Sequence, residues 1–561
     1  MFKCKQLLRR ICVVSYVFLL CGGLVNASNL VSKTNTLIGT QGNGWASGYL
    51  YPGATYPFGM VQFTPTYFTK QLGFVINQLS GAGCDHMGNF PTLPIAGALR
   101  VSPDSILNMQ TPVGKEIGTA GYYAATVDHS IRAELTVTER TGMARYTFSS
   151  KEKQGTVIIG GGVAATSIQV AAIKITGPHS CEGYAEGGAF CGIPTPYKVY
   201  FVAEFDADAE SFGTWKEERL HANHTFAEGS HSGVYFTFPL KEGNQAVQYK
   251  IGVSYVSVEN ARENLRVENP AWDFSAVRQA TQDKWNEYLG KIEVEGDNED
   301  RQMQFYTHLY RSLIHPNVCS DVNGEYMGAD SQVHKTARKF YTSFSNWDTY
   351  RTQTALIAML APEETSDIVM SHYLFAEQSG GGFPRWVLAN IETGVMQGDP
   401  TPILVANAYA FGARNYDPRT LLRTMRYGAE VPGANSQGVL TRPGLEQYLE
   451  KGYYDASILL EYTSSDFAIG RFALQACNDE PVCNWYTQRA MNWKNLFNKE
   501  TGWLQSRNED GSWKRYDADW RESTYKNYFW MVPYDLQGLI DSIGGKEAAE
   551  KRLDDMFRSL D

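Results

Sequence analysis

The spacing of apolar residues changes near residue 270, and this change constrains the fold more than any other feature of the sequence. Before it, runs such as residues 199–202 and 248–253 are rich in β-branched and aromatic side chains, with turn-forming residues nearby. Residues 133–140 alternate apolar and polar side chains, a pattern typical of a half-buried strand. Many short strands separated by turns predict an antiparallel β-sandwich over residues 28–270.

Past residue 270 the apolar residues recur at helical spacing instead. Helices are predicted over residues 273–289, 301–315, 349–359, 362–377, 402–411, 418–429, 457–477, 482–497 and 547–560. Loops rich in Gly and Pro separate them, which favours an (α/α)6-type helical toroid over residues 301–561, joined to the sandwich by a helical linker at 271–300. The predicted fold class is therefore α+β with two domains. The last helix shows no sign of a domain boundary, so we expect the toroid to be incomplete in this chain.

Residues 1–27 are predicted to be a secretory signal peptide. A basic start precedes a short apolar run at residues 11–20, and Val25-Asn26-Ala27 is a small-residue cleavage signal. The apolar run is too short to span a membrane as a helix, and no other segment is a candidate span. We therefore expect export to the periplasm or the extracellular space. Cys21 follows two leucines, which is a poor lipoprotein signal, so a lipid anchor is the less favoured alternative.

The cysteines suggest local cross-links. Of the 9 cysteines, six lie beyond the predicted signal peptide, where an exported protein can oxidise them. Cys181 with Cys191 and Cys477 with Cys483 are close in sequence and are candidate disulfides. The sequence has no Cys-x-x-Cys pair, so we expect no structural zinc site.

Composition narrows the classes of partner. The net charge is −10, and an acidic chain lacks the basic footprint that nucleic acid or anionic lipid requires. Aromatic residues make up 13% of the chain. An excess of Tyr and Trp suits stacking against sugars, but it suits β-sandwich cores equally well. Composition alone therefore leaves a carbohydrate site open without establishing it.

An ordered set of short motifs points to one family. In the first half they are Ile-Gly-Thr at 38–40, Tyr-Pro-Gly-Ala at 51–54, Pro-Phe-Gly-Met-Val-Gln at 57–62, Leu-Ser-Gly-Ala-Gly-Cys at 79–84 and Gly-Asn-Phe-Pro at 88–91. In the second half they are Ser-Asn-Trp-Asp-Thr-Tyr-Arg at 345–351, Gly-Phe-Pro-Arg-Trp at 382–386, Met-Gln-Gly-Asp at 396–399, Leu-Leu-Glu-Tyr at 459–462 with Asp466, and Glu522 followed by Val-Pro-Tyr-Asp at 532–535. The chain resembles glycoside hydrolase family 92, the calcium-dependent exo-acting α-mannosidases, over nearly its whole length after the signal peptide.

The resemblance implies inverting hydrolysis of terminal α-mannosides in mannose-containing glycans. Inverting glycosidases hold two carboxyl groups roughly 6.5–9.5 Å apart, with water between them. Glu522 lies where the family has its general acid. Aromatic neighbours at residues 520, 525 and 528–530 predict a low-dielectric pocket that would raise the pKa of this carboxyl group. The alternative is a surface Glu522 paired with Arg521.

The segment after Glu522 departs from the family pattern. Asn527 stands where the family commonly has a Gln near its calcium ion, and a shorter amide still offers the oxygen that Ca²⁺ prefers. Lys526 replaces a Trp and Tyr534 replaces a His. These changes predict an altered leaving-group pocket and leave the cleaved linkage open.

The resemblance also implies sugar contacts on helical and loop segments. Asp348 matches the family's sugar-binding Asp, with Trp347 and Arg351 beside it at the opening of a helix. The alternative for Asp348 is an N-cap. Arg385 and Trp386 follow three glycines, a pattern that suits a loop presenting a cation and a ring to a pocket. The alternative is a core Trp with a solvated Arg.

Cys84 and Asp85 lie in a glycine-rich loop at residues 81–88. No partner cluster with ligand spacing accompanies them, which argues against a nucleophile or a metal site. The resemblance implies that this loop forms the rim of the active site, contributed by the sandwich. We therefore expect Cys84 and Asp85 to contact sugar rather than to perform chemistry.

Two family segments do not occur in the sequence: a Gly-Asn-Glu-Pro run with binding residues and a Gly-Asn-Asp-Asp run that supplies the general base. We therefore expect a truncated family member that is inactive by itself. The alternatives are a catalytically dead glycan-binding relative and another sandwich-plus-toroid enzyme such as an α-glucoside phosphorylase. The sequence leaves the oligomeric state open.

Overall fold

The computed structural model describes residues 29–40, 48–65, 73–104, 113–242 and 245–558, so the predicted signal peptide lies outside the described residues. The strands of the first half are β1 (Ala54–Thr55), β2 (Gln62–Pro65), β3 (Phe74–Val75), β4 (Thr92–Ala96), β5 (Val113–Thr119), β6 (Tyr122–Val127), β7 (Ile131–Val137), β8 (Thr141–Thr147), β9 (Gln154–Gly160), β10 (Ile168–Gly177), β11 (Ser180–Gly187), β12 (Ala189–Phe190), β13 (Ile193–Pro194), β14 (Lys198–Phe205), β15 (Ser211–Lys216), β16 (Arg219–Ala222), β17 (Phe226–Glu228), β18 (Ser232–Pro239) and β19 (Ala246–Ser254).

These strands form an antiparallel β-sandwich, as the sequence predicts. One sheet has the order β1-β2-β3-β4-β9-β18-β15-β16, and the other has the order β17-β10-β11-β14-β19-β8-β7-β6-β5. The alternation at residues 133–140 belongs largely to β7, which pairs Ala133 with Tyr146 of β8. Both side chains are buried in the core between the sheets, where inward-facing residues of the two sheets meet.

The second half is a helical domain. Its helices, with two that join it to the sandwich, are α1 (Val258–Glu268), α2 (Phe274–Leu289), α3 (Glu299–Ser312), α4 (Asn346–Thr349), α5 (Gln353–Leu360), α6 (Pro362–Ser379), α7 (Thr401–Ala410), α8 (Pro418–Glu430), α9 (Leu445–Lys451), α10 (Ala456–Cys477), α11 (Glu480–Ala490), α12 (Tyr525–Tyr528), α13 (Leu536–Ser542) and α14 (Lys546–Arg558). Between them lie short strands, β20 (Asn317–Val318), β21 (Glu325–Met327), β22 (Val333–Lys335), β23 (Tyr341–Thr342), β24 (Phe344–Ser345), β25 (Trp386–Leu388), β26 (Ile391–Glu392), β27 (Asn435–Ser436), β28 (Val439–Leu440), β29 (Phe497–Asn498) and β30 (Trp503–Leu504).

Helix α10 is the centre of this domain. It packs against α7, α8 and α11, and most of its side chains are buried on all sides. The predicted helix at 482–497 instead ends at Ala490 and continues as a 3-10 turn over Met491–Leu496. None of the helices in the described ranges is long and apolar enough to cross a bilayer.

The boundary between the two halves differs from the predicted one. The last sandwich strand ends at Ser254, and α1 then packs on β14 and β19 within the segment predicted as sandwich. The Ser257 hydroxyl caps α1 by accepting a hydrogen bond from the Asn260 amide at 3.0 Å. The predicted linker contains α2, whose Trp285 is fully buried and donates its indole N–H to the Thr55 carbonyl at 2.7 Å. The linker is therefore packed on the sandwich.

The disulfide predictions are wrong. Cys84 pairs with Cys191, 107 positions away, with 5.2 Å between the Cα atoms. Cys181 is an inward-facing residue of β11 and is sealed in the sandwich core, whereas Cys191 lies in the turn between β12 and β13. Cys477 and Cys483 lie on different helices, α10 and α11, and both are free. Sequence proximity fails here because strand and helix geometry directs neighbouring side chains apart.

Candidate active site

Four of the predicted site residues meet at one cavity in the helical domain, which we name the Glu522 cavity. It has a volume of about 370 Å³ and is lined by Trp347, Arg351, Arg521, Glu522, Ser523, Asn527, Tyr528, Trp530 and Met531. One wall is α4 with the residues that follow it, and the other is the loop before α12 with α12 itself. The cavity is large enough for a monosaccharide and has both aromatic and charged walls.

The Glu522 side chain is exposed at this cavity rather than enclosed. Tyr528 and Trp530 line the same cavity without enclosing the carboxyl group, the Trp520 and Tyr528 rings lie 5.4 Å apart, and Phe529 is fully buried. The prediction of a low-dielectric aromatic pocket around this carboxyl group is therefore wrong. Among the described residues Glu522 forms no ion pair with Arg521, so the surface-pair alternative is not supported either. Glu522 has a φ of 50°, a left-handed conformation that is uncommon for a side chain of this type.

A second cavity lies between the two domains, and we name it the interdomain cavity. It has a volume of about 490 Å³. The sandwich contributes the loop at residues 79–82, and the helical domain contributes Asp348 and Trp386 together with His315 and Gln353. Of the glycine-rich loop at residues 81–88, Gly81 and Ala82 line this cavity, and sugar contact by Cys84 and Asp85 stays a prediction.

Asp348 links the two cavities electrostatically. Its carboxyl group is accessible to solvent inside the interdomain cavity, yet burial by the surrounding walls raises its pKa. The Arg351 guanidinium lowers that pKa, the Glu522 carboxylate raises it, and a hydrogen bond with the Trp386 side chain lowers it. Asp348 lies inside α4, whose N-cap is Ser345, so the capping alternative is wrong. Beside its hydrogen bond with Trp386, the exposed carboxyl group can accept further hydrogen bonds from a ligand.

A buried glutamate that the sequence analysis did not single out holds three of these side chains. Glu461 of α10 is fully buried and accepts hydrogen bonds from Trp347 Nε1 at 3.0 Å, from the Tyr350 hydroxyl at 3.0 Å and from Arg351 Nη2 at 3.1 Å. Burial raises its pKa, while Arg351 lowers it. The available signal was an acidic residue, like Asp466 after it, in a mostly buried helix, since a buried carboxylate needs a partner.

A buried network of charges fixes α10 from behind. Arg442 donates to Asp399 and to Asp466, each at 2.8 Å, and Arg489 donates to Asp466 at 2.7 Å. These four side chains are each less than a tenth exposed. Two arginines balance two aspartates, which is the arrangement in which buried charges are tolerated. The network therefore joins the Met-Gln-Gly-Asp loop and α11 to the helix that carries Glu461.

Arg385 does not face a sugar, which corrects the prediction for that residue. Its guanidinium is buried and donates to backbone carbonyls of Gly394, Met396, Gly398, Leu440 and Thr441. These carbonyls come from the loop after Arg385 and from residues 440 and 441, and Arg385 lines neither the Glu522 cavity nor the interdomain cavity. Trp386 is also mostly buried, and its ring stacks on Phe190 of the sandwich at 4.2 Å between centroids. Its edge reaches the interdomain cavity.

The glycine-rich loop is held in place by a disulfide and two histidines. Cys84 is bonded to Cys191, so it has no thiol to offer a sugar, and Asp85 is exposed with its pKa raised by partial burial. His86 Nε2 accepts from the Leu79 amide at 2.7 Å, and His315 Nε2 accepts from the Ser80 amide at 3.0 Å. Burial lowers the pKa of each histidine to about 4, so both rings are neutral near pH 7. Sequence reasoning assigned these histidines nothing.

The residues present do not fit a complete calcium site. Asn527 is exposed in the Glu522 cavity, and its amide oxygen accepts a hydrogen bond from the Thr524 hydroxyl at 3.3 Å. Ca²⁺ takes about six to eight oxygen ligands. Across the part of the chain that the structure describes, no group of three His, Cys, Asp or Glu side chains could hold a metal ion. Asn527 therefore supplies one candidate oxygen and no more.

Two family models match the chain. The model of the glycosyl hydrolase family 92 N-terminal domain matches residues 34–254, and the model of the glycosyl hydrolase family 92 catalytic domain matches residues 260–561. The first match coincides with the sandwich up to β19. The second covers the helical domain and both walls of the Glu522 cavity.

Relatives and solved structures agree with these matches. A protein from Arthroderma benhamiae described as an uncharacterized secreted glycosidase is 25% identical over 619 residues, covering 94% of this chain and 74% of the relative. The structure of a family GH92 α-mannosidase from Bacteroides thetaiotaomicron has a TM-score of 0.85 and 25% identity, covering 94% of this chain and 75% of that one. A family GH92 inverting mannosidase from the same organism has a TM-score of 0.84 and 26% identity, covering 94% and 74%. This protein belongs to glycoside hydrolase family 92.

Proposed function

We propose that this protein is an exo-acting α-mannosidase that hydrolyses terminal α-mannosides of glycans with inversion. The observation that carries the proposal is the Glu522 carboxyl group in one cavity with Trp347 and Arg351, close enough to Asp348 to shift its pKa. A solvent-facing acid beside a ring, with a second carboxylate lining the interdomain cavity, suits glycosidic-bond cleavage. Family membership and the mannosidase names of two structural relatives support the choice of sugar.

Each residue of the site has a separate role in the proposed reaction. Glu522 protonates the oxygen of the leaving group, and its exposure gives that oxygen access from the open side of the cavity. Asp348 accepts hydrogen bonds from adjacent hydroxyls of the terminal sugar. The Trp347 ring lies against the guanidinium of Arg351, 4.8 Å from the ring centroid, and both are tied to Glu461. Glu461 thus positions the residues that hold the sugar.

Inversion also needs a carboxylate that activates water on the opposite face of the sugar. The run that the family resemblance implies for this base does not occur in residues 1–561, so the acid has a candidate residue and the base has none. The resemblance implies calcium dependence as well. Asn527 is a single candidate ligand for that ion. We further propose that the protein is exported, as its predicted signal peptide and its secreted relative suggest.

A second candidate function is glycan binding without turnover. The Trp347–Arg351 pair and the exposed Asp348 carboxyl group favour it, since these side chains suit sugar binding whether or not turnover follows. The phosphorylase alternative is not retained, because the chain belongs to a glycoside hydrolase family.

One experiment separates the two. An α-mannobioside is incubated with the protein, binding is measured by calorimetry, and mannose release is followed by NMR, which also reports the first-formed anomer. Release of β-mannose that Glu522→Gln abolishes supports the mannosidase. Binding without release supports the glycan-binding function. Glu547→Gln, an exposed residue of α14, is the control and should behave like the wild type.

A further inference from the structure

A third cavity adjoins the Glu522 cavity across the Trp530 side chain, and we name it the basic cavity. It has a volume of about 360 Å³ and is lined by Trp503, Lys526, Trp530, Ala548, Lys551, Arg552, Asp555 and Met556. Trp530 lines both cavities. Lys526 precedes Asn527 on α12, so one short helix contributes to both sites. A ligand that extends out of the Glu522 cavity past Trp530 therefore meets the basic cavity.

The charges of the basic cavity are unbalanced. It has three cations and one carboxylate, and that carboxylate, Asp555, is paired with Lys551 at 2.7 Å. Lys526 and Arg552 form no ion pair within residues 245–558 or the other described ranges. The chain as a whole has a net charge of −10. A local excess of positive charge on an acidic protein is a feature that recognises anions.

Of the two cations without an ion pair among the described residues, Arg552 is the better placed to bind an anion. Its guanidinium lies over the rings of Trp503, at 4.0 Å, and Phe529, at 4.5 Å, and Nη1 donates to the Gly502 carbonyl at 2.8 Å. The side chain is half-buried, and burial lowers its pKa without an offsetting carboxylate. The faces of aromatic rings offset only part of the free energy that burying a cation costs. The remaining donors of the fork are thus held in place for a planar or tetrahedral anion.

We propose that the basic cavity is a subsite on the leaving-group side that recognises an anionic substituent on the sugar next to the terminal mannose. This inference rests on the proposed function, in which Asp348 holds the terminal mannose and Glu522 faces the leaving group. Arg552 binds the anion through its fork, Lys526 adds a point charge, and Trp530 packs against the sugar ring between the two cavities. A phosphate ester and a uronate carboxylate share this chemistry. Lys526, which departs from the family pattern, thereby gains a role.

The test is calorimetry on the intact chain with sulfur-linked disaccharides, which resist hydrolysis. The ligands are α-mannosyl-mannose, the same compound with a 6-phosphate on the reducing-end sugar, and the same compound with a uronate there. We expect an anionic ligand to bind about tenfold more tightly than the neutral one at low salt, as one or two charge-assisted hydrogen bonds would give. The ratio should shrink as salt increases.

Substitutions in the basic cavity test whether its side chains cause the preference for an anionic ligand. Arg552→Gln and Lys526→Gln should each bring the ratio of affinities toward one, whereas Lys546→Gln should keep it, because that exposed lysine of the same helix does not line the cavity. Lys526 is exposed, so its variant stays folded and remains informative if Arg552→Gln does not fold. A preference for the phosphate alone, for the uronate alone or for both supports the subsite and identifies the source of the anion.

Three outcomes overturn the proposal: equal affinity for all ligands, a preference that survives in both variants, and no binding of either anionic ligand. If the neutral disaccharide binds, if Asp348→Asn weakens that binding and if the anionic ligands bind no better, the subsite is refuted and the proposed mannose site is supported. Anionic binding that needs Arg552 but not Asp348 supports the subsite and counts against the proposed function.

Discussion

Replacing Glu461 by Gln tests whether one buried carboxylate positions the side chains that hold the sugar. Gln keeps the size of the side chain but introduces an amide N–H₂ where the donors of Trp347, Tyr350 and Arg351 already converge. It also removes the counter-charge of Arg351. Stability and ligand affinity should therefore fall together.

The magnitude follows from the burial of the pair. Breaking a fully buried ion pair costs about 3–5 kcal/mol, because a charge is left unpaired. The Arg351 side chain is 38% exposed while Glu461 is fully buried, so water relieves part of that cost, and we discount it to about 1–2 kcal/mol. A displaced hydrogen-bond donor adds about 1 kcal/mol. The free energy of unfolding should fall by about 2–3 kcal/mol in total.

Urea unfolding followed by tryptophan fluorescence measures the stability, and calorimetry with methyl α-mannoside measures the affinity. We expect the affinity to fall about tenfold, since Trp347 and Arg351 lose their common anchor. A double-mutant cycle with Arg351→Gln isolates the ion pair and should give a coupling energy of about 1–2 kcal/mol.

The control is Glu450→Gln, an exposed residue of α9, which should change stability by no more than about 0.5 kcal/mol. An unfolding transition of Glu461→Gln at the wild-type urea concentration, together with unchanged affinity, would refute the positioning role. Additive losses in the double-mutant cycle would show that Glu461 and Arg351 do not act as a pair.

Three further predictions concern the two sides of the interdomain cavity. The pKa of Asp348 is raised above 3.8, so mannoside affinity should fall as the pH is lowered through that raised pKa and the carboxylate is protonated. The same raised pKa means that the contribution of Asp348 to folding stability should decrease as the pH rises from 3.8 through the raised value. Calorimetry of binding and of unfolding across pH should show both trends lost in Asp348→Asn. Replacing Cys84 and Cys191 by Ser should lower the free energy of unfolding by about 2–4 kcal/mol in urea, and reducing agent should then have no further effect. Phe190→Ala should cost about 3–5 kcal/mol by leaving a cavity beneath Trp386, with a matching loss of mannoside affinity.

Each of these three predictions would be contradicted by a specific result. Affinity that stays flat across acidic pH in the wild type would remove Asp348 from sugar binding. An equal response of wild type and double-Ser variant to reducing agent would show that the Cys84–Cys191 bond adds no stability. Weakened folding in Phe190→Ala with intact affinity would limit Phe190 to a structural role.

The sequence by itself determined the architecture and the motif positions. The spacing of apolar residues follows the face of each strand or helix that is buried. The change from alternate residues to helical spacing therefore predicted a sandwich followed by helices. The motifs placed Trp347, Arg351, Glu522 and Asn527 in one site, and the structure brings them to one cavity. Each of these inferences depends on residues close in sequence or on a family pattern.

Only the tertiary structure decided how distant side chains share their partners. Cys84 bonds to a cysteine 107 positions away because the glycine-rich loop packs on the β12–β13 hairpin. Arg385 donates to carbonyls of its own loop and of residues 440 and 441, and Glu461 accepts from Trp347, 114 positions away in the sequence. Glu522 is exposed although Tyr528 and Trp530 line the same cavity. Such outcomes depend on which surfaces meet in the folded chain, and a linear pattern contains no information about that.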